Sequence, residues 1–549
     1  MAHLICPIPA VPGAREAPAI PNVIFAPEGT AAAADGQLGA QQVPKSILII
    51  GSGVFGLSTA YSLARRPEIP SDTPITIIDR SPEPDVFPAR DAASIDSSRI
   101  IRADYADAAY AKLASEAQVH WRRDIDNPDS LGGDGRYNES GLLLAAENGE
   151  DGATARPDGH PTGLGYTRYS WVNALALAHA EGRALNTVRL LPQAWAIGKA
   201  SGTDGEWADW GYMNTTAGWA DAGRSMQWLY DRVVETRRVT FVNGTVEALE
   251  TQTEQTPTKE QRVTGARLSD GRSFSADLII VAAGAWTPTL IDLAGSVVAT
   301  GQCLAYLRLT DDEQAKLAKM PVCLNLTDGC FVIPPRDNVL KVARHSYGYL
   351  NPQPLAHKPL GSSSSMKNNS ENSEIDASKP AIRVISQPQT HLTDPSTTIP
   401  AEGAADLRRA LRRMIPWELA ERPFFETRLC WYTDTATGDW IIDYHPSYKN
   451  LFIATGGSGH GFKFLPILGD KVVDCVLGKC PTEFQEKWKW KGSVKINENA
   501  TRTVKRVDGE EGCPDDDIAV ELAIATEDGS RGGKPGLVLH NEMAKGAKS

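Results

Sequence analysis

The chain has 549 residues, too many for one hydrophobic core, so a single small binding module is excluded and at least two packed units are expected. With 41% apolar and 23% charged residues it has an ordinary globular composition, and no run approaches the roughly 18 apolar residues of a membrane span. The 56 Lys and Arg against 68 Asp and Glu leave a net charge of −12, which argues against nucleic acid as a partner because phosphate neutralisation needs a clustered basic surface.

In chain order, residues 1–44 are rich in Ala, Pro and Gly without a sustained period and read as a flexible leader lacking the basic start and long apolar core of a secretory signal. Ser46–Ile50, Ile75–Ile78, Val239–Val242, Leu278–Ala282 and Leu451–Ala454 are short, β-branched runs bounded by turn residues. They predict a buried, largely parallel sheet. Leu57–Arg65, Ala108–Arg122, Arg224–Val234 and Ala404–Met414 have the spacing of amphipathic helices, so the class is α/β with room for an added antiparallel domain. The Ser- and Asn-rich stretch from Gly361 to Ser373 reads as a low-complexity insertion in a loop near 355–380. The polar region from Lys491 to the end reads as a tail, in which Ile518–Ala525 has the makings of a short strand or helix. Eight cysteines with no CxxC pair and no Cys/His metal spacing predict no metal site and a reducing compartment. That compartment is cytoplasmic or peroxisomal, although Ala547-Lys-Ser is not the Ser-Lys-Leu type of address.

The first strand runs into Gly51-Ser-Gly53-Val54-Phe55-Gly56 and then a helix start. These glycines allow a tight turn, close approach of backbone to a pyrophosphate and close helix packing, while the helix N-terminus supplies amide donors. The second strand ends in Asp79, about 20 residues on, where an acid accepts ribose hydroxyls. Arg80 follows it, and the strand from Asp277 ends in Gly284 with the strand-then-glycine form of a second dinucleotide contact. The fingerprint alone does not separate FAD from NAD.

Four further motifs narrow the choice: Ser97-Ser98-Arg99-Ile-Ile-Arg102, Asn338-Val-Leu-Lys341-Val-Ala-Arg344-His345, Arg428-Leu-Cys430-Trp-Tyr432-Thr-Asp434, and Gly456-Gly457-Ser-Gly459-His460-Gly461-Phe462-Lys463. With them the chain, over about Lys45 to Lys479, resembles the FAD-dependent amine oxidases of the D-amino acid oxidase superfamily. The branch is that of monomeric sarcosine oxidase, pipecolate and saccharopine oxidases and fungal fructosyl amino acid oxidases. The resemblance implies a Rossmann-like FAD-binding domain (45–125, 206–296 and 426–490) interleaved with an α+β substrate domain (126–205 and 297–425) built on a mainly antiparallel sheet. It also implies FAD joined covalently through Cys430, with Ser98 and Arg99 beside the flavin and Val246, Gly459, Gly461, Phe462 and Lys463 among the cofactor contacts. Arg102 and Lys463 inherit the substrate carboxylate, a role that suits a guanidinium fork. Lys341 inherits oxygen activation, and Tyr432, His345 and His460 shape the pocket. The Cys430 motif follows the pipecolate and saccharopine type, since fructosyl enzymes usually carry an acid at the Tyr432 position.

The implied activity is oxidation of the C–N bond of a secondary amine or N-substituted amino acid to an imine, with O2 reduced to H2O2, by a monomer whose partners are small molecules. Two alternatives stay open: an amine dehydrogenase using a carrier acceptor, and a biosynthetic oxidase of secondary metabolism whose imine is captured intramolecularly.

Overall fold

The computed structural model describes residues 43–149, 152–157, 159–253, 260–355, 357, 359–362, 384–492, 502–504, 518–520 and 529–546. The insertion expected near 355–380 lies largely outside the described residues, as does nearly all of the expected leader.

All five predicted strands share one six-stranded sheet, in the spatial order Ile441–Tyr444, Leu451–Thr455, Leu278–Val281, Ile47–Ile50, Ile75–Asp79, Val239–Asn243. Its pairings are parallel except at Ile441–Tyr444. Both faces are covered, which explains the unbroken apolar runs. Ile47 and Ile49 enter a core shared with helices Val54–Arg65 and Leu465–Val476. Leu48 and Ile50 enter a second core, against the antiparallel strands Val246–Thr253 and Gln261–Leu268. The two helices pack tightly because Gly469 lies on Ser58, and a Cβ there would overlap the Ser58 carbonyl.

A ten-stranded, mainly antiparallel sheet holds the second layer. Its centre is the long strand Val298–Arg308, flanked by Val339–Arg344 and Glu426–Asp434. Helix Ala401–Met414 turns Leu407, Ala410, Leu411 and Met414 into its core, leaving its arginines on the other face.

Two stretches expected in the cofactor unit belong to this larger sheet instead: Trp210–Asn214, paired with Leu142–Ala146, and Glu426–Asp434. The chain crosses between layers within these segments, and a strand's own residues do not mark which sheet it will join. The expected polar tail is also corrected. Leu537–Val538 adds a parallel strand to Tyr349–Leu350, and helix Leu539–Gly546 follows it, with Leu539 buried in the same core as helix Ala401–Met414. Nearer the middle of that region, Ile518–Val520 forms a strand against Arg502–Val504. Among the described residues no helix is long and apolar enough to cross a membrane.

Candidate active site

The three glycines of the first turn have separate jobs. Gly51 has φ of +98°, and a Cβ there would lie 2.5 Å from the Ala282 carbonyl oxygen. Gly56 carries the helix against the turn, since a Cβ would overlap the Gly51 carbonyl. A Cβ on Gly53 would meet only Ser94 Oγ, at 3.9 Å. Gly53 therefore borders open space, and Ser94 Oγ is buried there without a partner. Helix geometry leaves the amides of Val54, Phe55 and Gly56 without intrahelical acceptors at the same place. This cradle of amides, an orphaned hydroxyl and a position kept bare of side chain fits a dinucleotide pyrophosphate.

Asp79 accepts from Ser52 N at 2.8 Å, Arg80 N at 2.7 Å and the Ser52 hydroxyl, which pins the turn to the second strand. A carboxylate has about four lone-pair sites, so capacity remains for a ribose hydroxyl. Arg80 pairs with Asp91 at 2.8 Å and lies 3.7 Å over the Trp286 ring, bridging this end of the cradle to the turn that carries Gly284, whose φ is +53°. Val246 stands near the same end, two residues beyond Gly244, whose amide donates to the Asp79 carbonyl at 2.8 Å. The Phe55 side chain is buried under Gly457 and Gly461 and meets Trp440 edge-on at 5.6 Å. Its ring packs the protein, leaving only its backbone to face a cofactor.

The four downstream motifs converge on one cavity, lined by Ser98, Arg99, Arg102, Lys341, His345, Cys430, Tyr432, Gly459, His460, Phe462 and Lys463. Strand alternation selects the residues from Glu426–Asp434: Cys430 and Tyr432 face the cavity, while Leu429 and Trp431 enter the core behind. Gly459, at φ of +70°, makes room for the Tyr432 ring, which a Cβ would overlap. Arg99 Nη2 donates to Cys430 Sγ at 3.5 Å.

Lys341 is buried and donates to Asp96 Oδ2 at 2.6 Å and to the Ser98 carbonyl at 2.9 Å. Burial pulls its pKa down to about 8 against the opposing pull of Asp96. The same carboxylate pairs with Arg99 and accepts from Tyr306 Oη at 2.8 Å. Although burial opposes its charge, Lys341 and Arg99 hold Asp96 ionised, far below the usual carboxylate range.

In the same cavity Arg102 is buried with Nη1 unpartnered. Lys463 Nζ donates to Tyr105 Oη and to the His460 carbonyl, both at 2.9 Å. His460 Nε2 lies 2.8 Å from the Gly438 carbonyl and Nδ1 lies 3.1 Å from Tyr105 Oη. A carbonyl only accepts, so Nε2 carries the ring proton and Nδ1 accepts from the tyrosine. Burial pushes His460 well below its ordinary pKa, as burial and Arg531 do for His345, so both rings are neutral. Burial and Cys430 raise the Tyr432 phenol, which stays protonated.

A contiguous outer cavity shares Arg102, His345 and His460 and adds Tyr105, Tyr166, Asp439, Lys487 and Arg531. Arg531 comes from the C-terminal segment. It pairs with Asp434 at 2.6 Å, donates to the Ser458 and Ser346 carbonyls at 2.8 and 3.2 Å, and lies 5.3 Å from the Tyr432 ring centroid. Asp96, Tyr105 and Arg531 escaped the sequence reading. The first two flank the Ser98–Arg102 motif, a signal that could have found them. Arg531 offered only its Gly-Ser-Arg-Gly-Gly setting. Among the described residues no group of three or more His, Cys, Asp or Glu could hold a metal ion.

Residues 46–475 match the family described as FAD-dependent oxidoreductase (DAO). The chain is 35% identical over 487 residues to the amino acid oxidase imqH of Aspergillus flavus, covering 82% of this chain and 98% of that protein. It is 28% identical over 468 residues to the L-saccharopine oxidase of Schizosaccharomyces pombe, covering 84% and 96%. The fold is similar to the solved fructosamine oxidase (Amadoriase II) of Aspergillus fumigatus, with a TM-score of 0.61 and 26% identity over 81% of this chain and 89% of that one. A modified fructosyl peptide oxidase from Aspergillus nidulans gives a TM-score of 0.66 at 26% identity, covering 81% and 93%.

Proposed function

We propose a function from the premise that the chain belongs to the DAO family of FAD-dependent oxidoreductases: it is an oxidase of N-substituted amino acids. The observation that carries this is a buried Arg102 with a free Nη1, facing the same cavity as Lys463, Cys430 and Lys341. An unpaired buried guanidinium donor is costly to leave unmade, and a substrate carboxylate completes it with charge-assisted hydrogen bonds.

FAD would lie with its pyrophosphate at Gly51–Gly56, its ribose at Asp79 and its ring at Arg99 and Cys430. Bound there, it would supply the two-electron acceptor for oxidation of the C–N bond to an imine, with O2 as the terminal acceptor. The chain's own residues do the rest. Arg102 and Lys463 take the carboxylate and so orient the amine. Neutral His345 and His460 and the protonated Tyr432 wall the cavity without adding charge, which favours the uncharged amine. Lys341, fixed by Asp96 and Ser98, brings to the cavity a positive charge that would stabilise negative charge on oxygen. Attachment of the cofactor through Cys430 Sγ is supported by its place beside Arg99 in this cavity. We take the six-stranded sheet as the core of the cofactor-binding unit and the ten-stranded sheet as that of the substrate unit.

Among the described residues no cysteine is joined to another, which supports a reducing compartment, cytoplasm or peroxisome; we take the enzyme to act as a monomer. The test of oxidase against dehydrogenase is stoichiometric. Under air, each substrate oxidised should yield one H2O2, and faster turnover with an artificial acceptor than with O2 would favour the dehydrogenase.

A further inference from the structure

The two cavity lysines differ in one respect that their shared burial hides. Lys341 has a carboxylate at 2.6 Å. Lys463 has none within ion-pairing distance among the described residues; its two acceptors are a phenol oxygen and a backbone carbonyl. The three carboxylates that lie two residues from a residue of this cavity, Asp96, Asp104 and Asp434, are committed elsewhere, Asp96 to Lys341 and Arg99. Asp104 accepts from Tyr212 Oη at 2.9 Å and Asn214 Nδ2 at 3.0 Å, and Asp434 is taken by Arg531 and Thr300.

Among the residues lining the two cavities the carboxylates are Asp107 and Asp439, which Lys487 takes at 2.7 and 3.8 Å, and neither is within ion-pairing distance of Lys463. Arg102 and Tyr105 come from the segment after Arg99–Ile101, and His460 from the lysine's own turn. Tyr166, His345, Tyr432 and Arg531 stand farther round the two cavities. The hydrogen-bond order is fixed from the far end: Gly438 accepts from His460, His460 accepts from Tyr105, and Tyr105 accepts from Lys463. An uncharged amine has two N–H groups and one lone pair. Here the two acceptors satisfy both N–H groups, so the lone pair is the position left over. Burial and the neighbouring Arg102 guanidinium both disfavour a charge on this nitrogen.

We propose that Lys463 is uncharged in the free enzyme and takes the proton that an amino acid zwitterion must lose before oxidation. This deepens, and rests on, the carboxylate reading given above. The proton leaves the substrate ammonium and bonds to the Lys463 lone pair, with no oxidation and no proton exchanged with solvent. Two results follow from one transfer. The amine becomes the neutral form whose electron pair is available, and Lys463 becomes an ammonium that joins Arg102 at the carboxylate. Lys463 is thus both anchor and base.

A matched pair of non-oxidisable probes tests this on the FAD-loaded enzyme. Isobutyrate carries a carboxylate alone; 2-aminoisobutyrate adds the ammonium but has no hydrogen on the α-carbon. Binding is measured by calorimetry in two buffers of different ionisation heat, which counts protons. Isobutyrate should take up about one proton per site near neutral pH, and its affinity should fall about tenfold per pH unit above the window where free Lys463 titrates. The zwitterion should take up none. In Lys463→Met the uptake with isobutyrate should vanish. Isobutyrate binding without uptake, or uptake that persists in Lys463→Met, overturns the proposal while leaving the carboxylate reading intact. Failure of both acids to bind overturns the carboxylate reading, and this proposal with it.

Discussion

Lys341 Nζ lies 2.6 Å from Asp96 Oδ2, and this buried pair ties together two motifs 245 residues apart in the chain. Asp96 holds Arg99 through the same carboxylate. One anion therefore sets the positions of two cations of the cavity, Lys341 and Arg99, the second of them beside Cys430. It also partly restores a lysine charge that burial opposes, leaving the pKa at about 8.

Because its pKa is depressed to about 8, Lys341 is charged below that pH and neutral above it. Reoxidation of the reduced enzyme by O2 should slow as pH rises through about 8, since the charge that stabilises reduced oxygen is lost. Rapid mixing of reduced enzyme with oxygenated buffer across this range measures it. A rate that is flat through pH 8, or that rises, contradicts the assigned role.

Arg531 and Asp434 are both almost fully buried and paired at 2.6 Å. Removing one partner of such a pair strands the other charge, at a typical cost of about 3–5 kcal/mol. Arg531→Met should lower folding stability by about that amount in denaturant unfolding, and adding Asp434→Asn should recover part of the loss. Equal stability of the wild type and Arg531→Met would mean that the C-terminal segment does not engage the cavity wall.

Gly53 and Gly56 should separate folding from cofactor binding. Gly56→Ala places a methyl group onto the Gly51 carbonyl, and the protein should fail to accumulate in folded form. Gly53→Ala meets nothing closer than 3.9 Å, so the apoprotein should keep its circular dichroism and melting temperature while its FAD content falls sharply. Full flavin loading of Gly53→Ala would move the pyrophosphate away from this turn.

Attachment through Cys430 predicts that acid precipitation leaves the yellow colour in the protein pellet, and that Cys430→Ser releases it to the supernatant. Colour released from the wild-type protein would rule out the covalent bond.

The cofactor turn was legible because its chemistry is local. Strand, three glycines and Asp79 lie within some thirty residues, and each position is constrained by backbone space that a neighbour's side chain cannot supply. Arg99, Arg102, Cys430 and Lys463 were legible through motif context, which located them without showing their partners. Asp96 gave no periodic signal, because its importance lies in Lys341 and Tyr306, both more than 200 residues away. Arg531 was hidden more deeply. It sits in polar, glycine-rich sequence that favours disorder by composition, and only contacts 73 to 185 residues distant order it. Phe55 lends the cofactor turn its backbone amide, while its side chain packs under Gly457 and Gly461.

Carboxylate-directed oxidation is tested most directly by anaerobic mixing of the enzyme with a panel of N-methyl and cyclic secondary amino acids, each paired with its carboxamide, while following loss of the visible flavin absorbance. At least one acid should bleach the flavin, and its amide should do so about a hundredfold or more slowly, because the charge-assisted hydrogen bonds to Arg102 and Lys463 are lost. An amide that reduces the flavin as fast as its acid, or a flavin that no secondary amino acid in the panel reduces, would contradict the assignment.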